Sequence, residues 1–119
     1  MAKSFLDTAL KCLYICIYYE RIAVYEWDDE KNRINLSERG LSFEDAEAVF
    51  AGPCVTFEDT RQDYGEQRFI TFGLLEGRMV VIAHTPRGES IRIISMRKGN
   101  DREKKTYQER LEALGRDEG

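Results

Sequence analysis

The chain has 119 residues, of which 42% are hydrophobic and 34% charged, and its formal net charge is −4. This length predicts one domain with its own core, and this composition argues against a disordered chain and against a membrane protein. The charge is divided unevenly, because residues 1–60 contain 6 basic and 12 acidic side chains whereas residues 61–105 contain 10 and 6. An acidic protein usually avoids nucleic acid, but the basic segment keeps a nucleic-acid partner in consideration.

The cysteines are odd in number and match no zinc-finger spacing; they are Cys12, Cys16 and Cys54. We therefore expect no disulfide framework, no metal site and no cofactor. Cys12 and Cys16 are one helical turn apart, as a shared metal would require, but packed thiols are the favoured interpretation. This cysteine content is typical of a cytoplasmic protein.

Residues 1–24 form an apolar segment that is predicted to be an N-terminal extension. Apolar side chains recur every four residues at Phe5, Ala9, Leu13 and Ile17. This spacing favours an amphipathic helix, although the Tyr and Ile content also suits a strand. The densest apolar run, residues 13–19, is too short to cross a bilayer.

The main domain is predicted over residues 25–114 and a C-terminal tail over residues 115–119. A short strand is expected at residues 25–27 and another at 55–57, with a polar and mobile loop at 58–66. Two helices are expected between the first two strands. Their start and end signals are Asp28, Gly40, Ser42 and Gly52.

The second half of the domain has the pattern of a β-meander followed by a helix. Three strands are predicted at residues 68–75, 79–85 and 90–96. Glu76 with Gly77, and Arg87 with Gly88, have the composition of two-residue hairpin turns. A basic helix is expected after Asn100. We therefore predict an α+β fold with helices packed on an antiparallel sheet.

These turns define a strand register and hence the two faces of the sheet. Arg68 and Arg92 fall at the same end of one face and flank Thr85, whereas His84 and Arg97 fall on the other face. One interpretation is that the first two arginines pair with carboxylates at a solvated sheet end. The other is an anion site, because guanidinium donors match phosphate oxygens. For His84, a structural role is favoured over acid–base catalysis.

The chain resembles the BrnT family of type II toxins, formerly the uncharacterised family DUF497, over about residues 25–111. Three segments carry the resemblance, in the order EWDDEKNRINLSERGLSFEDAEAVF, GEQRFITFGLLEGRMVVIAHTPRG and IRIISMRKGNDREKKTY. The matching positions are Trp27, Asp28, Lys31, Asn35, Gly40, Phe43, Ala46, Phe50, Arg68, Gly73, Thr85, Arg87, Arg92, Ile94, Ser95, Arg97, Glu103 and Tyr107. The family usually has Lys-His-Gly after its first helix, and this chain has Arg39 in place of the histidine.

The resemblance implies a RelE-like fold and an endoribonuclease of the mRNA interferase type, which arrests translation. It also implies neutralisation by a BrnA-like ribbon-helix-helix antitoxin, through which alone the protein would reach operator DNA. Two alternatives remain: an inactive homologue that serves as an antitoxin-binding co-repressor, and a stand-alone RNA-binding module.

Metal-independent RNA cleavage needs a base for the 2′-hydroxyl proton and cations for the charge that develops on phosphorus. Arg68 and Arg92 suit the cationic role. The candidate bases are His84, Glu66 and Tyr107, and the sequence does not rank them. The residues expected to bind RNA phosphates are Lys31, Arg87, Arg97, Lys98 and Arg102.

Overall fold

The protein is a five-stranded sheet with helices on both faces. A computed structural model of the chain describes residues 24 to 118. In chain order its elements are β1 (Val24–Trp27), α1 (Asp29–Arg39), a 3-10 turn (Phe43–Asp45), α2 (Ala46–Ala51), β2 (Val55–Glu58), β3 (Phe69–Leu75), β4 (Arg78–Arg87), β5 (Ser90–Lys98) and α3 (Asp101–Glu118). The predicted α+β class and the three helix positions are confirmed.

The strand order is β1-β5-β4-β3-β2. Strands β2 to β5 form the predicted antiparallel meander, whereas β1 runs parallel to β5. The prediction of a wholly antiparallel sheet is therefore wrong at this edge. Parallel pairing needs a long crossover, and here the rest of the domain supplies it, so no local turn in the sequence reveals the direction of β1.

The two hairpin turns depend on residues with positive φ. Glu76 and Gly77, at φ of 52° and 80°, form the predicted turn between β3 and β4. The second turn lies one residue later than predicted, because Arg87 pairs with Ser90 and leaves Gly88 and Glu89 as the connection. With φ at 59°, Gly88 takes the first turn position, where glycine is preferred.

Each face of the sheet packs against its own helices. Face A carries Val80 and Ile82 and packs against the 3-10 turn and α2. Its buried residues are Leu41, Phe43, Ala46, Val49, Phe50, Val80, Ile82, Ile91, Ile93 and Met96. Face B carries a smaller cluster beneath α3, made of Val55, Phe72, Met79, Val81 and Tyr107. Alternation of side chains along β4 therefore supplies both cores.

A β-bulge interrupts the pairing of β4 with β5. Ala83 pairs with Ser95 but the next residue, His84, pairs with Ile93, so Ile94 is an extra residue on β5. An extra residue reverses which side chains beyond it point to each face. The bulge therefore decides the direction of the last residues of β5.

Beyond the bulge, Met96 is fully buried among the residues of face A, and Arg97 lies opposite Val81 on face B. The sequence-based register placed Ser95 and Arg97 on the face of His84, and this part of the prediction is wrong. It assumed an unbroken ladder, and no glycine or other local signal in β5 marks the extra residue.

Three further predictions fall at or beyond the ends of the described range. The N-terminal extension lies outside it except for Val24, which is part of β1. Residues 115–118, predicted as a tail, continue α3. Cys54 is disulfide-bonded. The cysteine spacing did not imply this bond, although an odd number of cysteines still allows one pair.

The packing of β3 against α2 gives the first prediction. A Cβ atom added to Gly73 would lie 2.5 Å from Val49 Cγ1. We expect Gly73→Ala to lower the free energy of unfolding, measured in urea, by about 1–3 kcal/mol. In a Val49→Ala background, where the opposing methyl is absent, the same change should cost close to nothing. Equal costs in the two backgrounds would contradict this packing.

Candidate nucleic-acid interface

Part of face B is left open by α3, which contacts β2 and β3. Charged side chains from β1, β4 and β5 and from the loop before β3 line this open part. We call these residues the arginine face: Glu26, Glu66, Arg68, Arg87 and Arg92.

The sheet register aligns the arginines. Arg92 pairs with Thr85 on one side and with Glu26 on the other. Arg68 precedes β3 by one residue and lies opposite Thr85 in the continuation of the β3–β4 register. Neighbouring strands are about 4.8 Å apart, so the Cα atoms of Arg68 and Arg92 are roughly 10 Å apart. The predicted placement of these two arginines on one face beside Thr85 is therefore observed.

Each arginine of the arginine face has a carboxylate partner. Glu66 Oε2 is 3.2 Å from Arg68 Nε, and Glu66 Oε1 is 3.6 Å from Arg87 Nη2. Glu26 Oε1 is 3.7 Å from Arg92 Nη1. The Arg68 and Arg92 side chains are 30% and 32% exposed, and ion pairs at this exposure contribute only about 0–1 kcal/mol. These ion pairs therefore oppose the approach of a phosphate only weakly.

The other predicted RNA-binding residues lie elsewhere. Arg97 binds both oxygens of Glu103, at 2.8 and 2.7 Å, and this hydrogen bond lowers the pKa of Glu103. Glu103 also exchanges hydrogen bonds with Asn100 to cap α3, so Arg97 ties β5 to that helix. Lys98 and Arg102 are exposed on either side of this cap, and Lys31 is exposed on α1.

His84 lies on face A, as predicted, and is fully buried. Its Nε2 is 2.8 Å from Thr71 Oγ1, and its ring contacts those of Phe50 and Phe69. Burial lowers the pKa of His84 to about 3. The imidazole is therefore neutral near pH 7, and the sheet separates it from Arg68.

Tyr107 is 5% exposed and belongs to the cluster beneath α3. Its hydroxyl donates to the Pro53 carbonyl oxygen at 2.7 Å, and burial raises its pKa. Of the three candidate bases, only Glu66 contacts Arg68.

The loop between β2 and β3 contains residues that the sequence did not single out. Asp59 accepts hydrogen bonds from Arg61 and from the Tyr64 hydroxyl, and the Tyr64 ring lies against Arg68. The segment was expected to be a mobile polar loop, yet these bonds close it on itself. A single aromatic residue within a polar segment was the available signal.

Residues 24–118 contain neither a membrane-spanning helix nor a cluster of metal-binding side chains. In that range no helix is long and apolar enough to span a membrane. Within the same part of the chain, no three His, Cys, Asp or Glu side chains are grouped so that they could hold a metal ion.

The described residues form an α+β domain whose open sheet face carries three arginines, each beside a glutamate. A family model described as the ribonuclease toxin BrnT of type II toxin-antitoxin systems matches residues 27–103. The chain therefore belongs to the BrnT family, as its sequence segments predict, and at the level of the family it is a ribonuclease toxin with an antitoxin partner. No curated protein matches the chain.

The buried histidine gives the second prediction. The folded pKa of His84, about 3, lies below the ordinary histidine value of 6.5, so between these pH values the unfolded chain binds a proton that the folded chain excludes. The contribution of His84 to the free energy of unfolding should be complete above pH 6.5. As the pH decreases below this value, the free energy of unfolding should fall by up to about 1.4 kcal/mol per pH unit.

Urea unfolding at pH 7, 6 and 5 measures this slope before the carboxylates begin to titrate. His84→Gln is the control: it keeps a group that hydrogen-bonds Thr71 but does not titrate, so its stability should be nearly constant over this range. The same slope in both proteins would contradict the assignment of a buried neutral imidazole.

Proposed function

We propose that the protein cleaves RNA without a metal ion, as an endoribonuclease of the mRNA interferase type in the cytoplasm. A BrnA-like ribbon-helix-helix antitoxin neutralises it and links it to operator DNA. The observation that carries this proposal is the Glu66 carboxylate held between Arg68 and Arg87 on an exposed sheet face. A proton acceptor and phosphate-binding donors thus lie side by side.

The reaction needs few groups. The RNA 2′-hydroxyl gives its proton to Glu66, and its oxygen attacks the adjacent phosphorus. Arg68 and Arg92 donate hydrogen bonds to the phosphorane oxygens, where negative charge accumulates. The P–O5′ bond breaks and leaves a 2′,3′-cyclic phosphate, while the 5′-oxygen takes a proton from water, which reaches this exposed face.

Glu66 is preferred as the base because of accessibility. RNA cannot reach His84, which is fully buried on face A, and the Tyr107 hydroxyl is already donated to the backbone of Pro53. Glu66 is 31% exposed and contacts Arg68 directly. A base within hydrogen-bonding reach of the bound phosphate group is the geometric requirement for this role.

The histidine that the family usually carries is replaced by Arg39, and the contacts of Arg39 support a role in packing. Its Nη1 donates to Asn35 Oδ1 and to the Met96 carbonyl oxygen, both at 3.3 Å. Asn35 in turn donates to the Leu41 carbonyl oxygen. This position fastens α1 to the sheet and does not belong to the arginine face, so the replacement does not remove a group from the proposed site.

The third prediction tests the site. Arg68→Ala, Arg92→Ala and Glu66→Gln should each lower the rate of RNA cleavage by about a hundredfold or more. Their melting temperatures should remain close to that of the wild type, because the ion pairs are exposed. Arg33→Ala, which removes an exposed arginine from α1, is the matched control and should cleave at the wild-type rate. Folded variants with undiminished cleavage would remove these residues from the site.

Chelation separates this mechanism from its alternatives. Cleavage should persist in EDTA, because the proposed chemistry uses only side chains. Loss of cleavage in EDTA would exclude the metal-independent mechanism. Purified wild-type protein that fails to cleave with and without ribosomes would favour the inactive antitoxin-binding homologue. The absence of a neighbouring reading frame for a ribbon-helix-helix protein would favour the stand-alone RNA-binding module.

The fourth prediction concerns the antitoxin, which we expect to cover the arginine face because a partner that silences a nuclease must exclude its substrate. Arg87→Glu and Arg92→Glu should weaken antitoxin binding about tenfold, and RNA should compete with the antitoxin. Calorimetric titration measures both effects. Arg33→Glu carries the same change of charge on α1 and should bind normally. Normal binding by all three variants would place the antitoxin on another surface.

A further inference from the structure

The guanidinium of Arg68 lies on the ring of Tyr64. Its central carbon is 4.3 Å from the ring centroid, within the range in which a cation is attracted to an aromatic face. Glu66 accepts a hydrogen bond from Nε on the inner edge, at 3.2 Å. Neither contact uses the two terminal nitrogens of Arg68, which are the donors that match two oxygens of a phosphate. Arg68 is therefore held by one face and its inner edge.

Tyr64 is itself held by a carboxylate. Its hydroxyl donates to Asp59 Oδ2 at 2.8 Å, and Arg61 donates to both oxygens of Asp59 at 2.9 Å. The Asp59 side chain is only 5% exposed. Chiefly through the hydrogen bond from Arg61, and also through that from Tyr64, the pKa of Asp59 lies well below its usual range. Asp59 is thus a permanent acceptor for the tyrosine hydroxyl.

The backbone beneath Arg68 is closed at two points. The Asp59 amide donates to the Arg68 carbonyl oxygen at 2.7 Å, which joins the two ends of the loop. The buried Thr85 hydroxyl donates to the Gln67 carbonyl oxygen at 2.6 Å. The two ends of the loop are therefore fixed to the sheet, and its one aromatic ring, that of Tyr64, faces Arg68.

We propose that Tyr64 is a positioning residue for Arg68, which it holds through the contact of its ring with the guanidinium. The ring keeps the guanidinium where its terminal nitrogens meet the charge that develops on the RNA phosphate. An arginine side chain has many rotamers, and a donor already in position needs no reorganisation during the reaction. The inference rests on the proposed function, because it is there that Arg68 acts on RNA.

The kinetic test compares Tyr64→Phe, which keeps the ring, with Tyr64→Leu, which removes it. Tyr64→Leu should lower kcat roughly tenfold and change KM little, whereas Tyr64→Phe should stay within about threefold of the wild type. In an Arg68→Ala background, Tyr64→Leu should cause no further loss, since Tyr64 acts only through Arg68. A further tenfold loss in that background, or a raised KM with normal kcat, would show that Tyr64 contacts RNA itself and would overturn the inference.

A readout without RNA makes the test independent of activity. The Arg68 Nε–Hε group should give a rigid ¹⁵N relaxation signature in the wild type and in Tyr64→Phe, and a mobile one in Tyr64→Leu. An unchanged signature in Tyr64→Leu overturns the inference whether or not the protein cleaves RNA. Full cleavage by Arg68→Ala would instead overturn the proposed function, and the mobile signature in Tyr64→Leu would distinguish that failure from the first.

Discussion

A charged side chain on a sheet must stay either hydrated or paired with an opposite charge, and this constraint determines how much of face B a helix can cover. The apolar row of Val55, Phe72 and Val81 lies beneath α3. The row with Arg68 and Arg92 lies toward the other end of the same strands and remains partly exposed. Covering it would remove hydration from guanidiniums whose surface ion pairs return little energy. The open site is thus a direct result of the residues on the sheet.

The sequence predicted the features that depend on local chemistry. Helix α1 begins after Asp28, whose carboxylate caps the Lys31 amide, and ends at Gly40 in the left-handed conformation. The turn at Glu76 and Gly77 specifies the pairing of β3 with β4. These signals lie within a few residues of the structure that they specify, so a single sequence reveals them.

Features that depend on distant contacts were not predictable in the same way. The extra residue Ile94 is accommodated because Met96 fills a space among side chains from other elements on face A. Its consequence is large: Arg97 moves to face B and binds Glu103 at the start of α3. The direction of β1 likewise follows from a partner strand at the far end of the domain. Neither is encoded in neighbouring residues.

The candidate site shows the same division. Alternation and turn positions were sufficient to bring Arg68 and Arg92 to one face, because both lie on the unaltered side of the bulge. Glu66, His84 and Tyr107 are all side chains that can transfer protons, so residue type does not decide among them. The choice depends on how deeply each one is buried. Only the three-dimensional packing shows that a histidine can lie at the centre of a core and a tyrosine beneath a helix.

The parallel pairing of β1 with β5 has a consequence for the order of folding. Val24 pairs with Ser90, and Glu26 pairs with Arg92. The first described strand therefore cannot join the sheet until the last one has formed. During synthesis on the ribosome, the N-terminal edge cannot join the sheet until β5 has emerged from the exit tunnel. Contacts this distant in sequence also slow folding. The surface proposed to attack RNA is therefore assembled only after β5 has been synthesised.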